Sequence, residues 1–182
     1  MAKPGPILPA RSVRRAFGVS TFVSVGNATQ PFTRLLDEVA QLLLKLPQPV
    51  VVQHGVAPFL SQGCVALPFV TMTEFECLIC ESELLILHAG AGSVIHAMRA
   101  GKVPVVMPRR AIYGENVDNH QIEFARTLGE TGRLVVADEP AQLEEAVRRA
   151  LELQRGDGLV AVATSMVGLV DKTLAGYARQ FS

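Results

Sequence analysis

The sequence predicts an α/β fold: a doubly wound parallel sheet with helices on both faces. Three observations predict it. Strand-like and helix-like segments alternate along the chain with short connections. Two of the strand-like segments, ELLILH (83–88) and KVPVVM (102–107), are apolar runs of the kind buried on both faces of a central parallel strand. The first of these runs is bounded by the glycines that come after it.

The segments follow in order. Residues 20–25, STFVSV, read as a first strand that ends at Gly26. A helix is expected over 32–45, where Phe32, Leu35, Leu36, Val39, Leu42 and Leu43 recur at helical spacing. PVVVQ (49–53) is a second strand and CVALPFV (64–70) a third. A helix over 73–81 has Thr73 as its expected N-cap. The ELLILH strand is followed by a helix over 92–100, stopped by Gly101 as a C-cap. KVPVVM then leads into a polar loop, 108–118, and a helix over 119–129. RLVVA (133–137) is the last strand. A helix over 139–154 places Ala141, Leu143, Ala146, Val147, Ala150 and Leu151 on one side. Residues 158–180 are expected to form a closing helix, although glycines interrupt them. There is no internal repeat and no linker. Residues 1–19 read as a flexible tail and 20–182 as one folded domain.

Composition supports this. The chain has 182 residues, enough for one core and too few for two full α/β domains. Lys plus Arg and Asp plus Glu both number 17, so the basic excess usual in a nucleic-acid binder is missing. No apolar run reaches the roughly 18–20 residues that span a bilayer. The N-terminal stretch has positive charge but no apolar run after it, which makes a poor signal peptide. Its Arg11, Arg14 and Arg15 suit either a solvated tail or a contact with anionic lipid head groups. Cys64, Cys77 and Cys80 are odd in number, so a disulfide framework is not expected. Cys77 and Cys80 form a CxxC inside a helical stretch rather than at a helix N-terminus, and read as buried structural thiols.

Ligands of such sheets bind beyond the carboxyl ends of the strands. Three loops fall there. In His88-Ala89-Gly90-Ala91-Gly92-Ser93, two glycines admit close backbone approach. The helix that follows offers free N–H groups and the positive end of its dipole, which suits a phosphate. A tight turn with no ligand is the plain alternative. The pattern lacks the third glycine of the dinucleotide fingerprint and the Lys-Ser/Thr of a P-loop. The second loop, Pro108 to Gln121, is long and polar. Asp118 or Asn119 would cap the next helix, which leaves Asn119, His120 and Gln121 with side chains able to bond sugar hydroxyls. Arg109 and Arg110 open this loop, either solvated or clamping an anion with their planar forks. The third loop, Gly26-Asn27-Ala28-Thr29-Gln30, combines close approach at Gly26 with Thr29 as a candidate cap.

HAGAGS before a helix, a strand ending in Pro, and DNHQ together resemble the C-terminal domain of glycosyltransferase family 28. The likeness runs over about 20–150. FVSVGN resembles the family's FVTVGT opening. The stand-alone members are most similar: catalytic subunits of two-component UDP-sugar transferases, with MPRRAIYGENVDNHQ especially like the exopolysaccharide group. The resemblance implies the Rossmann-like C-terminal half of a GT-B fold and an inverting transferase that uses UDP-sugar without a metal or other cofactor. It implies that His88, Gly90, Gly92 and Ser93 surround the diphosphate, and that Phe69 and Val70 flank the uracil. Asn119, His120 and Gln121 would face the donor sugar, with Gly26 and Asn27 in the first loop. It implies a membrane-anchored, acceptor-binding partner subunit, a polyprenyl-linked acceptor, and a cytoplasmic place at the membrane through that partner. No general base is assigned. One departure stands out. The family often has Glu, holding the ribose, five residues before the glycine that ends the helix, and here that residue is His96. A non-catalytic subunit that binds the nucleotide sugar or stabilises a partner is the alternative.

Overall fold

The computed structural model describes residues 18–156. The N-terminal tail before Gly18, with its arginine cluster, and the closing helix expected over 158–180 lie outside the described residues.

Among the described residues, six parallel strands form one sheet: β1 (Thr21–Ser24), β2 (Val50–Gln53), β3 (Cys64–Leu67), β4 (Leu84–His88), β5 (Val105–Met107) and β6 (Val135–Val136). Five α-helices of the described residues connect or flank them: α1 (Thr33–Leu42, extended by a 3-10 turn Leu43–Lys45), α2 (Met72–Glu81), α3 (Ala91–Arg99), α4 (His120–Gly129) and α5 (Leu143–Arg155). The strand order is β3-β2-β1-β4-β5-β6. The chain therefore builds outward from β1 to β3, then returns to the other side of β1 and builds outward again. The doubly wound sheet expected from the sequence is present.

Parallel pairing sets which side chains share a face. Phe22 stands beside Val51 and Leu85 in the register, and Val23 beside Val52 and Ile86. Phe22, Val51, Leu85 and Leu87 pack against Leu78 and Ile79 of α2 and Ala97 of α3. Val23, Val52, Ile86 and Val105 pack on the other face against α1 and α5. Further along the first face, Val106 meets Phe124, Ala125 and Leu128 of α4. Both faces of the strands are covered, which explains why they read as continuous apolar runs rather than alternating ones.

Helix ends correct two expectations. Thr71, not Thr73, caps α2. Its hydroxyl accepts from Glu74 N, while Glu74 Oε2 accepts from Thr71 N at 2.8 Å, a reciprocal capping box. Both threonines stand three residues before a glutamate, Thr71 before Glu74 and Thr73 before Glu76, so the spacing leaves the choice open and the fold settles it on Thr71. Thr29 does not cap α1, whose N-cap is Phe32 without a side-chain bond. Gly101 does end α3: it has φ +71°, its N–H reaches Met98 O, and Lys102 N reaches Ala97 O, a Schellman closure. Cys64 and Cys77 are partly buried, but Cys80 is exposed, so the buried-thiol reading fails for it. The inward face of α2 at that level belongs to Leu78 and Ile79.

Candidate functional site

Strand order reverses between β1 and β4, so the loops leaving these neighbours diverge and open a crevice at the carboxyl edge. A cleft of about 270 Å³ lies there. Gly26 and Asn27 line it from the loop after β1, Gln53 from the end of β2, and His88 from the end of β4. Gly90, Gly92, Ser93 and His96 come from the turn into α3 and its first two turns, and Val70, Met72 and Phe75 from α2 and its approach.

The His88 imidazole is packed between two glycines. A Cβ at either Gly26 or Gly90 would fall within 3.0 Å of its ring atoms. Gly26 also has φ +77°, a conformation open to glycine. Both glycines are thus demanded by the ring between them. Burial, and then the positive charge of Arg109, push the His88 pKa down to about 4, opposed in part by the nearby Ser24 backbone. The ring is neutral at physiological pH, and its Nδ1 is buried without a hydrogen-bond partner among the described residues.

Gly90 is the N-cap of α3, and no side chain caps that end. The first intrahelical bond shown is Val94 N to Gly90 O. The N–H groups of Ala91, Gly92 and Ser93 therefore have no intrahelical acceptor and face the region of the cleft, where an anion would complete them. A Cβ on Gly92 would meet nothing within 4 Å. The opposite wall is fixed by Gln53, which is 2% exposed. Its Oε1 accepts from the Ser24 hydroxyl, and its Nε2 donates to Asn27 Oδ1 at 2.9 Å. Gln53 escaped the sequence reading, although a glutamine closing a run of three valines at a carboxyl end was a signal.

Residues 21–155 match the model of the glycosyltransferase family 28 C-terminal domain. The chain belongs to that family. It is 45% identical over 56 residues to the UDP-N-acetylglucosamine transferase subunit ALG13 of Yarrowia lipolytica, covering 31% of this chain and 26% of that one. To the subunit of the same name in Cryptococcus neoformans it is 37% identical over 82 residues, covering 44% and 38%. The chain thus matches well under half the length of these relatives. Its fold is similar to that of the glycotransferase of kitacinnamycin, with a TM-score of 0.58 at 18% identity, over 98% of this chain and 40% of that one.

Within this family 28 domain, the structure brings Gly26, Asn27, Val70, His88, Gly90, Gly92, Ser93 and His96 together around one cleft. Phe69 is not part of the lining and stands half exposed; Phe75 and Met72 of α2 take the apolar wall instead. His96 packs edge-on against Phe75, and its Nδ1 lies 3.6 Å from Glu76 Oε1. A carboxylate is therefore present beside His96, supplied by α2 rather than by α3.

The second loop departs further from expectation. Arg109 is neither solvated nor open to a ligand anion: it is 1% exposed. Its Nη1 donates to Gln30 O and Glu115 O and its Nη2 to Val25 O, each at 2.8 Å, with the guanidinium 4.8 Å above the Phe32 ring. Arg110 pairs with Glu139 Oε1 at 2.7 Å and donates to Asp138 O, so its fork is directed at its own chain. Asn119, His120 and Gln121 sit at the start of α4, on the same sheet edge but outside the lining of the cleft. Asp118 Oδ1 accepts from His120 N and serves the helix end, whereas the Asn119 side chain does not. Arg34 of α1 was not singled out from the sequence; its partner Glu115 is 81 residues away, beyond any local pattern.

Proposed function

We propose that this chain binds a UDP-sugar at the β1/β4 crevice and transfers the sugar, with inversion, to a polyprenyl-linked acceptor held by a membrane-anchored partner subunit. The uncapped N-terminus of α3, opening on a cleft lined by Gly26, Gly90 and Gly92, carries the reading. Three unsatisfied N–H groups and the helix dipole suit a diphosphate and would stabilise it as UDP leaves, without a metal ion. A neutral His88 adds a hydrogen-bonding group without a second charge. Val70, Phe75 and His96 would enclose the nucleoside, with the Glu76 carboxylate in reach of His96 for the ribose. Asn119, His120 and Gln121 would receive the donor sugar. The named relatives are subunits of a UDP-N-acetylglucosamine transferase, which supports both the donor class and the need for a partner. No helix among the described residues is long and apolar enough to cross a membrane. A cytoplasmic, peripheral place through the partner follows from this reading, as does a role in exopolysaccharide or glycolipid synthesis.

Gly92→Val tests the diphosphate placement. The new side chain enters open space within the fold, so the chain should still fold. Two methyl groups at the mouth of the helix N-terminus should weaken UDP binding by at least about tenfold in calorimetry, the loss of a single good interaction. Wild-type affinity in this variant would refute the placement.

A further inference from the structure

We propose that Arg34 and Glu115 are positioning residues for the donor sugar, because their ion pair holds the loop that orients the side-chain amides of Asn119 and Gln121. The inference rests on the reading that these amides receive the sugar.

Arg34 projects from α1 and meets Glu115 in a two-pronged bond, Nε to Oε1 and Nη2 to Oε2, both at 2.9 Å. The two side chains are 13% and 6% exposed, so solvent screens the pair little. The guanidinium also donates to Pro108 O at 2.8 Å and to Asp138 O at 3.1 Å, and lies 5.2 Å from the Tyr113 ring. Glu115 Oε2 accepts from Arg110 N at 2.9 Å, and Glu115 O from Arg109 Nη1. The start and the middle of the loop are therefore tied to one pair of charges. A loop of this length without such ties would sample many conformations.

The consequence falls at the far end of the loop. Asn119 Oδ1 accepts from Ala111 N at 3.1 Å, and Gln121 Oε1 accepts from Arg109 N at 3.2 Å. A backbone N–H can meet only the oxygen of an amide, so both side chains are oriented by chemistry rather than by choice. Each keeps its NH₂ group for another partner. Both backbone donors belong to the stretch that Arg34 and Glu115 hold, Arg109 and Ala111 flanking the bond from Arg110 N to Glu115. Loosening the pair frees the amides to rotate. The ligand groups that fit two fixed NH₂ donors are acceptors: hydroxyl oxygens, or the carbonyl oxygen of an N-acetyl group.

Calorimetry of the full chain with UDP and with UDP-N-acetylglucosamine tests this. Glu115→Gln sets an NH₂ against the donors that Glu115 now accepts, and Arg34→Lys keeps the charge but loses the fork. Both should bind UDP within about twofold of wild type, and UDP-N-acetylglucosamine about tenfold more weakly, as the loss of one or two hydrogen bonds gives. Gln121→Ala should do the same. A Glu115→Gln variant with wild-type affinity for both ligands, beside a Gln121→Ala variant that loses the sugar nucleotide, would overturn the positioning role while leaving the sugar site standing. Equal weakening of UDP and UDP-N-acetylglucosamine would overturn it too, since the pair would then only support the fold. Wild-type binding by Gln121→Ala would overturn the sugar-site reading itself, and the inference with it.

Discussion

His88 shows how a single residue links site and stability. Its ring is enclosed by Gly26 and Gly90 and held neutral by burial and by Arg109. In the unfolded chain an imidazole takes up its proton near 6.5; in the folded chain this one does so only near 4. Between those values the unfolded state binds more protons, so acid favours unfolding. The contribution of the neutral ring is complete above about pH 6.5 and is lost as pH falls toward 4. Wild type should lose up to about 3 kcal/mol over that window that a His88→Asn variant does not lose, from a shift of roughly two pKa units or more. Urea denaturation at a series of pH values measures it; parallel profiles for the two proteins would exclude a neutral buried ring. The place of His88, at a strand end before a glycine-rich turn, marked that turn as a candidate site in the sequence. Its neutrality was not legible there, because the cation that contributes lies 21 residues away on another strand end.

Among the elements, the 108–119 loop holds most of the surprise. Two adjacent arginines in a polar loop suggest solvent or a bound anion. In the fold, Arg109 satisfies three carbonyl oxygens from three separate places: the end of β1, the turn into α1, and its own loop. Removing the side chain leaves the two buried acceptors, Val25 O and Glu115 O, without that partner at about 1–3 kcal/mol each, and the part-buried Gln30 O as well. Arg109→Ala is expected to destabilise the chain by about 3 kcal/mol or more in chemical denaturation. Arg109→Lys should recover part of this, since an ammonium reaches fewer of the three than a planar fork does. A change below about 0.5 kcal/mol, typical of a solvated surface residue, would mean the arginine is not the anchor described. Local pattern located this loop, its length and the helix that follows it. It did not reveal the anchor, because the acceptors on Val25 and Gln30 come near only when β1 and β5 take their places on either side of β4.

At the scale of the molecule, most of the exposed large apolar side chains among the described residues lie in segments that follow the carboxyl ends of strands, Leu44 and Leu153 excepted. Val56 and Leu60 follow β2, Phe69 and Met72 follow β3, and Ile112, Tyr113 and Val117 follow β5. The proposed donor cleft opens on the same edge. Its volume falls just below the range of about 300–1,000 Å³ for sites that enclose a small molecule, which suits one wall of a site completed by another subunit. The purified chain should therefore bind UDP yet transfer little or no sugar to a polyprenyl-linked acceptor, and activity should rise when the acceptor-binding subunit is added. Robust turnover by the single chain in a radiolabelled-sugar assay would refute the need for a partner.

The sequence by itself determined the layer architecture, the succession of strands and helices along the chain, and the glycine turn after β4 that lines the cleft. It did so because those features rest on local rules: buried strands read as apolar runs, helices repeat every 3.6 residues, and tight turns need glycine. The same local rules reached their limit at helix boundaries: Thr73 is the cap expected for α2 and Thr71 the one observed, and both stand three residues before a glutamate. Only the tertiary structure decided that Arg109 is a buried anchor, that Arg34 grips Glu115, that Glu76 stands beside His96, and that Phe75 and Met72 rather than Phe69 line the cleft. Each of these joins different elements of the fold, and their contact distances depend on the strand order and on which face each helix covers. Hydrogen bonds and ion pairs act over about 3–4 Å, so they exist only once the sheet has placed their partners there.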